Sequence, residues 1–209
     1  MREARIGRML PASVHQAIVD ELPARLDYYE HWLHPAGLRD GTIGVAAFRA
    51  VLSFLRQEDA AYAAVVGRAG RYAAAWSLDE ASPLSGRLIG WLPFPLRARA
   101  AVRRARRVIA ATDGRARATA SARRKRARIR IAGSAFCEVR EPVEAPLCGF
   151  YAAALAEVLA LHGIEAQADV EDCRAVGGEV CIVTAALGAG AEPEATDAVS
   201  AHLDPPASR

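Results

Sequence analysis

The sequence predicts an α+β fold, with a helical N-terminal part packed against a small antiparallel sheet. Three observations predict it. Apolar residues recur every three or four positions through most of the first 112 residues. The period drops to two in "RARIRIA" (126–132). A helical stretch bracketed by Pro146 and Gly163 then leads to two more alternating stretches around a Gly-Gly turn. The second half therefore reads as a strand–helix–hairpin unit, 116–187, following a helical part, 1–112. At 209 residues, a single domain over 1–187 can bury its own core without staples.

Taken in order, residues 12–34 carry Val14, Ile18, Leu22, Leu26, Tyr29 and Leu33 at helical spacing. Pro23 breaks or kinks the helix, and Pro35 with Gly37 ends it. Val45, Phe48, Leu52 and Leu55 mark a second amphipathic helix, with Arg49 and Arg56 turned away from the core. A third runs from about 59 to 76. Gly67 and Gly70 weaken it by roughly 1 kcal/mol each relative to Ala but suit close packing of helices. A short helix over 83–93 stops at "PFP". "LRARAAVRRARRVIAA" (96–111) is a strongly basic helix whose apolar side is Leu96, Ala100, Val102, Ala105 and Ile109.

"RARIRIAGSAFCEV" alternates, with Ala127, Ile129 and Ile131 on one face and Arg126, Arg128 and Arg130 on the other. "PLCGFYAAALAEVLALHG" returns to helix, with Pro146 in its first turn and Gly163 at its C-terminal end. "IEAQADVE" and "EVCIVTAAL" are strands joined by "RAVGG", a hairpin turn. The last 20 or so residues read as a flexible tail.

Composition excludes several classes. No run of about 20 apolar residues is present, so no spanning helix is expected. "MREARIGRML" lacks a signal peptide's apolar core and small-residue cleavage site, so the expected compartment is cytoplasmic. No G-x-G-x-x-G, Walker loop or G-x-S-x-G occurs. A reductase would need a hydride source, and no nicotinamide or flavin fingerprint supplies one. The five histidines show no metal spacing beyond His31 and His34, three apart at a helix end, where solvation is the simpler account.

Charge is segregated. Residues 97–130 hold 14 Lys or Arg and one acid, Asp113, whereas from 131 onward there are 13 acids and three arginines. The basic block reads as a solvated basic face, or as a dock for an acidic protein partner or the carboxylates of a ligand, rather than as a nucleic-acid surface. No helix-turn-helix or finger signature accompanies it, and stacking aromatics are lacking. Trp32, Phe48, Trp76, Trp91 and Tyr151 fall in apolar helical stretches. They are either core or the lining of a pocket for a flat ligand.

All four cysteines, Cys137, Cys148, Cys173 and Cys181, lie within 45 residues. Cys148 starts a helix, and Cys173 and Cys181 flank the hairpin turn. Helix dipole and turn would bring thiolates together, as tetrahedral zinc requires. The spacing is not a ribbon of paired CxxC motifs, so buried inert thiols and a disulfide remain as alternatives on spacing alone.

The run "APLCGFYAAALAEVLALHGIEAQADVEDCRAVGGEVCIVTAAL", with "RIRIAGSAFCEV" before it, resembles the C-terminal part of the 4-vinyl-reductase domain family, over about 128–186. The resemblance implies a compact α+β domain like the small subunits of transport protein particle tethering complexes, and a homodimer. Members include a protein of bacteriochlorophyll synthesis and phenol-sensing domains. It implies a domain that carries or senses a hydrophobic aromatic or tetrapyrrole ligand, or else an enzyme or accessory of tetrapyrrole synthesis, or an assembly subunit. It also implies a structural zinc on Cys148, Cys173, Cys181 and an acidic residue. Glu171 stands one place from the family's register and Asp169 is its rival; Cys137 is the substitute that would make the site all-sulfur.

Overall fold

The computed structural model describes residues 6–58, 60–79, 91–123, 125–139 and 142–188. The helix expected over 83–93 falls mostly, and the C-terminal tail almost wholly, outside the described residues.

Among the described residues, six helices precede the first strand: α1 (Met9–Glu21), α2 (Leu26–Glu30), α3 (Pro35–Asp40), α4 (Val45–Leu55), α5 (Ala60–Asp79) and α6 (Phe94–Thr112). Pro23 divides the first expected helix, and a 3₁₀ turn over Pro23–Arg25 separates its halves. Several boundaries differ from expectation: the strand expected through 126–139 ends at Ala132 and yields to a 3₁₀ turn, the one expected from Ile164 begins at Ala168, and a third difference lies at Pro35. Pro35 starts α3 rather than ending a helix. It occupies the first turn, where its missing N–H costs nothing. His34 caps it through Nδ1, which accepts the Gly37 N–H at 2.9 Å. His31 meanwhile packs edge-on against Trp32, so the two histidines serve the chain locally.

The sheet follows: β1 (Arg117–Arg123), β2 (Arg126–Ala132), then helix α7 (Gly149–Leu161), β3 (Ala168–Asp172) and β4 (Cys181–Ala186). Strand order is β1-β2-β4-β3, antiparallel throughout. β2 shows the expected alternation, with Ala127, Ile129 and Ile131 buried and the arginines between them exposed. β1, "RATASAR", escapes notice in the sequence because alanine inside and serine or threonine outside give little contrast of hydropathy.

Helices α6 and α7 cover the sheet's inner face, and α5 packs across α7. Gly70 makes the α5–α7 approach possible: a Cβ there would run into the Phe150 carbonyl. The centre of the core is aromatic. Phe136 stacks on Phe150 at 4.8 Å between centroids and meets Phe48 and Tyr151 edge-on. Among the described residues no helix is long and apolar enough to cross a membrane.

Candidate functional site

The four cysteines arrive from four places. Cys137 ends a 3₁₀ turn (Ala135–Cys137) just after β2. Cys148 is the residue before the first turn of α7. Cys173 follows β3, and Cys181 opens β4, where it pairs with Ile131. All four are buried, their sulfurs lie within 4.8 Å of one another, and none is in a disulfide. Cys137 Sγ is 3.4 Å from Cys173 Sγ and 3.3 Å from Cys181 Sγ.

Polar clamps hold each segment. Asp113, one residue past α6, accepts the Ala135 N–H at 3.0 Å and the Tyr151 hydroxyl at 2.6 Å. Ser134 accepts the Phe136 N–H at 3.2 Å, which fixes the turn carrying Cys137. Arg56 Nη2 donates to the Phe136 carbonyl at 3.0 Å. Tyr62 donates to the Leu147 carbonyl at 2.8 Å, beside Cys148. The Val143 N–H donates to the Ala175 carbonyl at 2.8 Å, pinning the lead-in of α7 to the hairpin. The only acid of the basic block therefore sits at the structural centre of the site. Its isolation among arginines was the signal in the sequence.

The thiols share protons unevenly. Donation from Cys137, then Cys148 and Cys181, holds Cys173 far below the ordinary thiol range, with help from the Ala175 amide. Cys137 and Cys148 likewise lower Cys181, and the Arg174 amide contributes. Cys148 is pushed far up by Cys137, Cys173 and Cys181. Cys137 is drawn down by Cys148 but raised more by Cys173, Cys181 and burial. Four buried sulfurs in mutual contact are left to share protons among themselves, and a divalent cation can take the place of those protons.

The donor set fits such an ion. Tetrahedral coordination with bonds of about 2.3 Å places sulfurs about 3.8 Å apart, within the observed range of 3.3 to 4.8 Å. Four sulfurs select zinc or iron and leave no open position for water, so an ion here would be structural.

Glu171, the acidic candidate, is not part of this group. It lies on the exposed face of β3, where it accepts from Arg126 at 3.1 Å and Arg128 at 3.0 Å. Alternation along β3 puts Glu171 on the exposed side with Asp169, and the pairing irregularity between Val170 and Asp172 breaks the period before the buried Cys173. Asp169 pairs across with Thr184 and is also outside the group.

The aromatic residues expected around a ligand do not converge. Phe48 and Tyr151 are buried against Phe136. Trp32 packs near Phe54, Trp76 stacks on Tyr72, and Trp91 is 91% exposed. A cleft lies elsewhere among the described residues. A cavity of about 1090 Å³ opens beside the cysteines, lined by Arg49, Ser53, Arg56, Cys137, Val143 and Arg174 among others. Glu138 on its wall is held by Arg49 and by Arg115; burial works against its charge, but the two guanidiniums keep its carboxyl below the ordinary range. From sequence, Arg49 and Arg56 were assigned only to an outer helix face and Arg174 only to the hairpin turn.

No protein-family model matches the chain, and no curated protein matches its sequence. Among solved structures, the chain is similar to the crystal structure of the phenol-responsive sensory domain of the transcription activator PoxR with phenol. Identity is 14% and the TM-score 0.48, over 68% of this chain and 74% of that one.

Proposed function

We propose that the chain is a small-molecule-binding domain in which a four-thiolate metal, zinc in the first instance, braces the wall of a ligand cleft. One observation carries this reading: Cys137 belongs both to the cysteine group and to the lining of the cleft. The metal would tie the turn after β2, the start of α7 and the β3–β4 hairpin into one wall. Its affinity would be coupled to folding of that wall.

The lining favours a ligand with an apolar body and an anionic or acceptor group. Ala135, Val139, Pro142 and Val143 supply apolar surface, and Arg49, Arg56 and Arg174 supply guanidinium donors. The volume lies at the upper end for small-molecule sites, so both aromatic acids and a carboxylate-bearing tetrapyrrole come within its class. Ligand binding rather than turnover is favoured, because a closed sulfur site offers a substrate no coordination position.

Titrating the metal-loaded protein with benzoate, benzyl alcohol and protoporphyrin, by calorimetry or native mass spectrometry, tests the reading. An anionic probe should bind, and Arg174→Ala should weaken it without loss of metal. Binding that is unchanged by that substitution, or by removal of the metal, would contradict it.

A further inference from the structure

Strand β1 is one of the sheet's two edges, β3 being the other. Among the described residues its backbone pairs only with β2, so its other row of N–H and C=O groups has no partner. We propose that this edge takes up an extended acidic polypeptide as an added strand.

Three observations converge. The first is the open edge itself, a template for main-chain pairing. The second is charge. Arg117, Thr119, Ser121 and Arg123 point outward from β1, and Arg126, Arg128 and Arg130 point the same way from β2. Register sets Arg123 directly across from Arg126. Like charges opposed in a sheet are destabilising. Glu171 serves Arg126 and Arg128, while Arg117, Arg123 and Arg130 meet no acid among the described residues. Charge on an edge strand alone would serve to block aggregation; here the neighbouring strand repeats it, and the face as a whole attracts anions.

The third is a cleft of about 230 Å³ on the inward side of the same strand. Phe94, Ala98, Ala122 and Leu187 form its apolar floor, and Arg99 and Arg123 stand at its rim. Successive residues of an added strand face opposite ways. Acidic side chains would meet Arg117 and Arg123 while the alternate apolar side chains would sit over this cleft. The partner chemistry is thus a run of alternating acidic and apolar residues. Neither β1 nor β2 carries an aromatic residue, so nucleotide bases would have nothing on this face to stack upon. The proposal stands independently of the metal and of the cleft beside Cys137.

The probe is a fluorescent peptide of about ten residues, a strand's length, alternating Glu and Val. Expected results are saturable binding to the full chain at physiological salt, and slowed hydrogen exchange of amides in 117–123. N-methylation of alternate peptide bonds should abolish binding, because it removes the donors while keeping the charge. Arg123→Glu should weaken binding by about tenfold or more through like-charge repulsion. The same change should leave the melting temperature unlowered, since it replaces a repulsive pair with an attractive one. Equal binding of the N-methylated peptide, unchanged exchange in β1, or duplex DNA or anionic vesicles binding as tightly as the peptide would each overturn the proposal.

Discussion

Cys137 Sγ and Cys181 Sγ lie 3.3 Å apart although 44 residues separate them. Neither is bound to the other covalently. Their approach depends on the turn after β2 folding back towards the start of β4, and that turn depends on groups from other segments of the chain.

Tyr151 is one of them. Its hydroxyl reaches Asp113 at 2.6 Å and Ser134 at 3.0 Å inside a fully buried setting. Burial, reinforced by Asp113, pushes its phenol well above the ordinary value, so it remains a donor. Tyr151→Phe leaves a buried carboxyl oxygen short of a partner and should cost about 1–3 kcal/mol. Denaturant unfolding measures this. Metal affinity should fall as well, because Asp113 also anchors Ala135 in the Cys137 turn.

Gly70 permits the close passage of α5 over α7. Gly70→Ala puts a methyl group into the Phe150 carbonyl, which cannot yield without moving the helix. The usual helix-propensity gain of about 1 kcal/mol for Gly to Ala should therefore be reversed. A net loss of about 1–3 kcal/mol is expected from overpacking. Gly67 lies in open space on the same helix, and Gly67→Ala should stabilise. Thermal melts of the two variants should move in opposite directions.

His162, at the end of α7, gives a pH dependence. Its Nδ1 faces the Val158 carbonyl at 2.7 Å and so carries the proton; its Nε2 is buried without a partner among the described residues. Burial holds its pKa below the ordinary 6.5, with Arg104 adding repulsion. The unfolded chain binds the proton more readily, so stability rises with pH. The contribution is fully present above about 6.5 and is lost as pH falls through 6.5 towards the folded value. His162→Gln should flatten the melting temperature between pH 7.5 and 5.5 relative to the wild type.

Most of the helices, the strand of alternating arginines and the hairpin were legible because their apolar periods are clean. Strand β1 was not, since alanine and serine alternate too quietly to register against a helical background. The cysteines were legible as a group, but the fourth member was not fixed. Sequence places Glu171 two residues from Cys173 without showing that a strand turns it outward to Arg126 and Arg128. The Asp113–Ser134–Tyr151 clamp joins three segments far apart in the chain, and only tertiary packing reveals it. The cleft's arginines were hidden for a similar reason: Arg49 and Arg56 lie on one helix and its extension, and Arg174 belongs to the hairpin loop.

The metal content of purified, reduced protein is the most direct measurement. Native mass spectrometry with elemental analysis should find one zinc per chain, lost together with fold stability in Cys137→Ser and in Cys181→Ser but retained in Glu171→Gln. Metal-free protein whose melting temperature is indifferent to zinc and to chelator would contradict the account, as would loss of zinc on replacing Glu171 with retention on replacing Cys137.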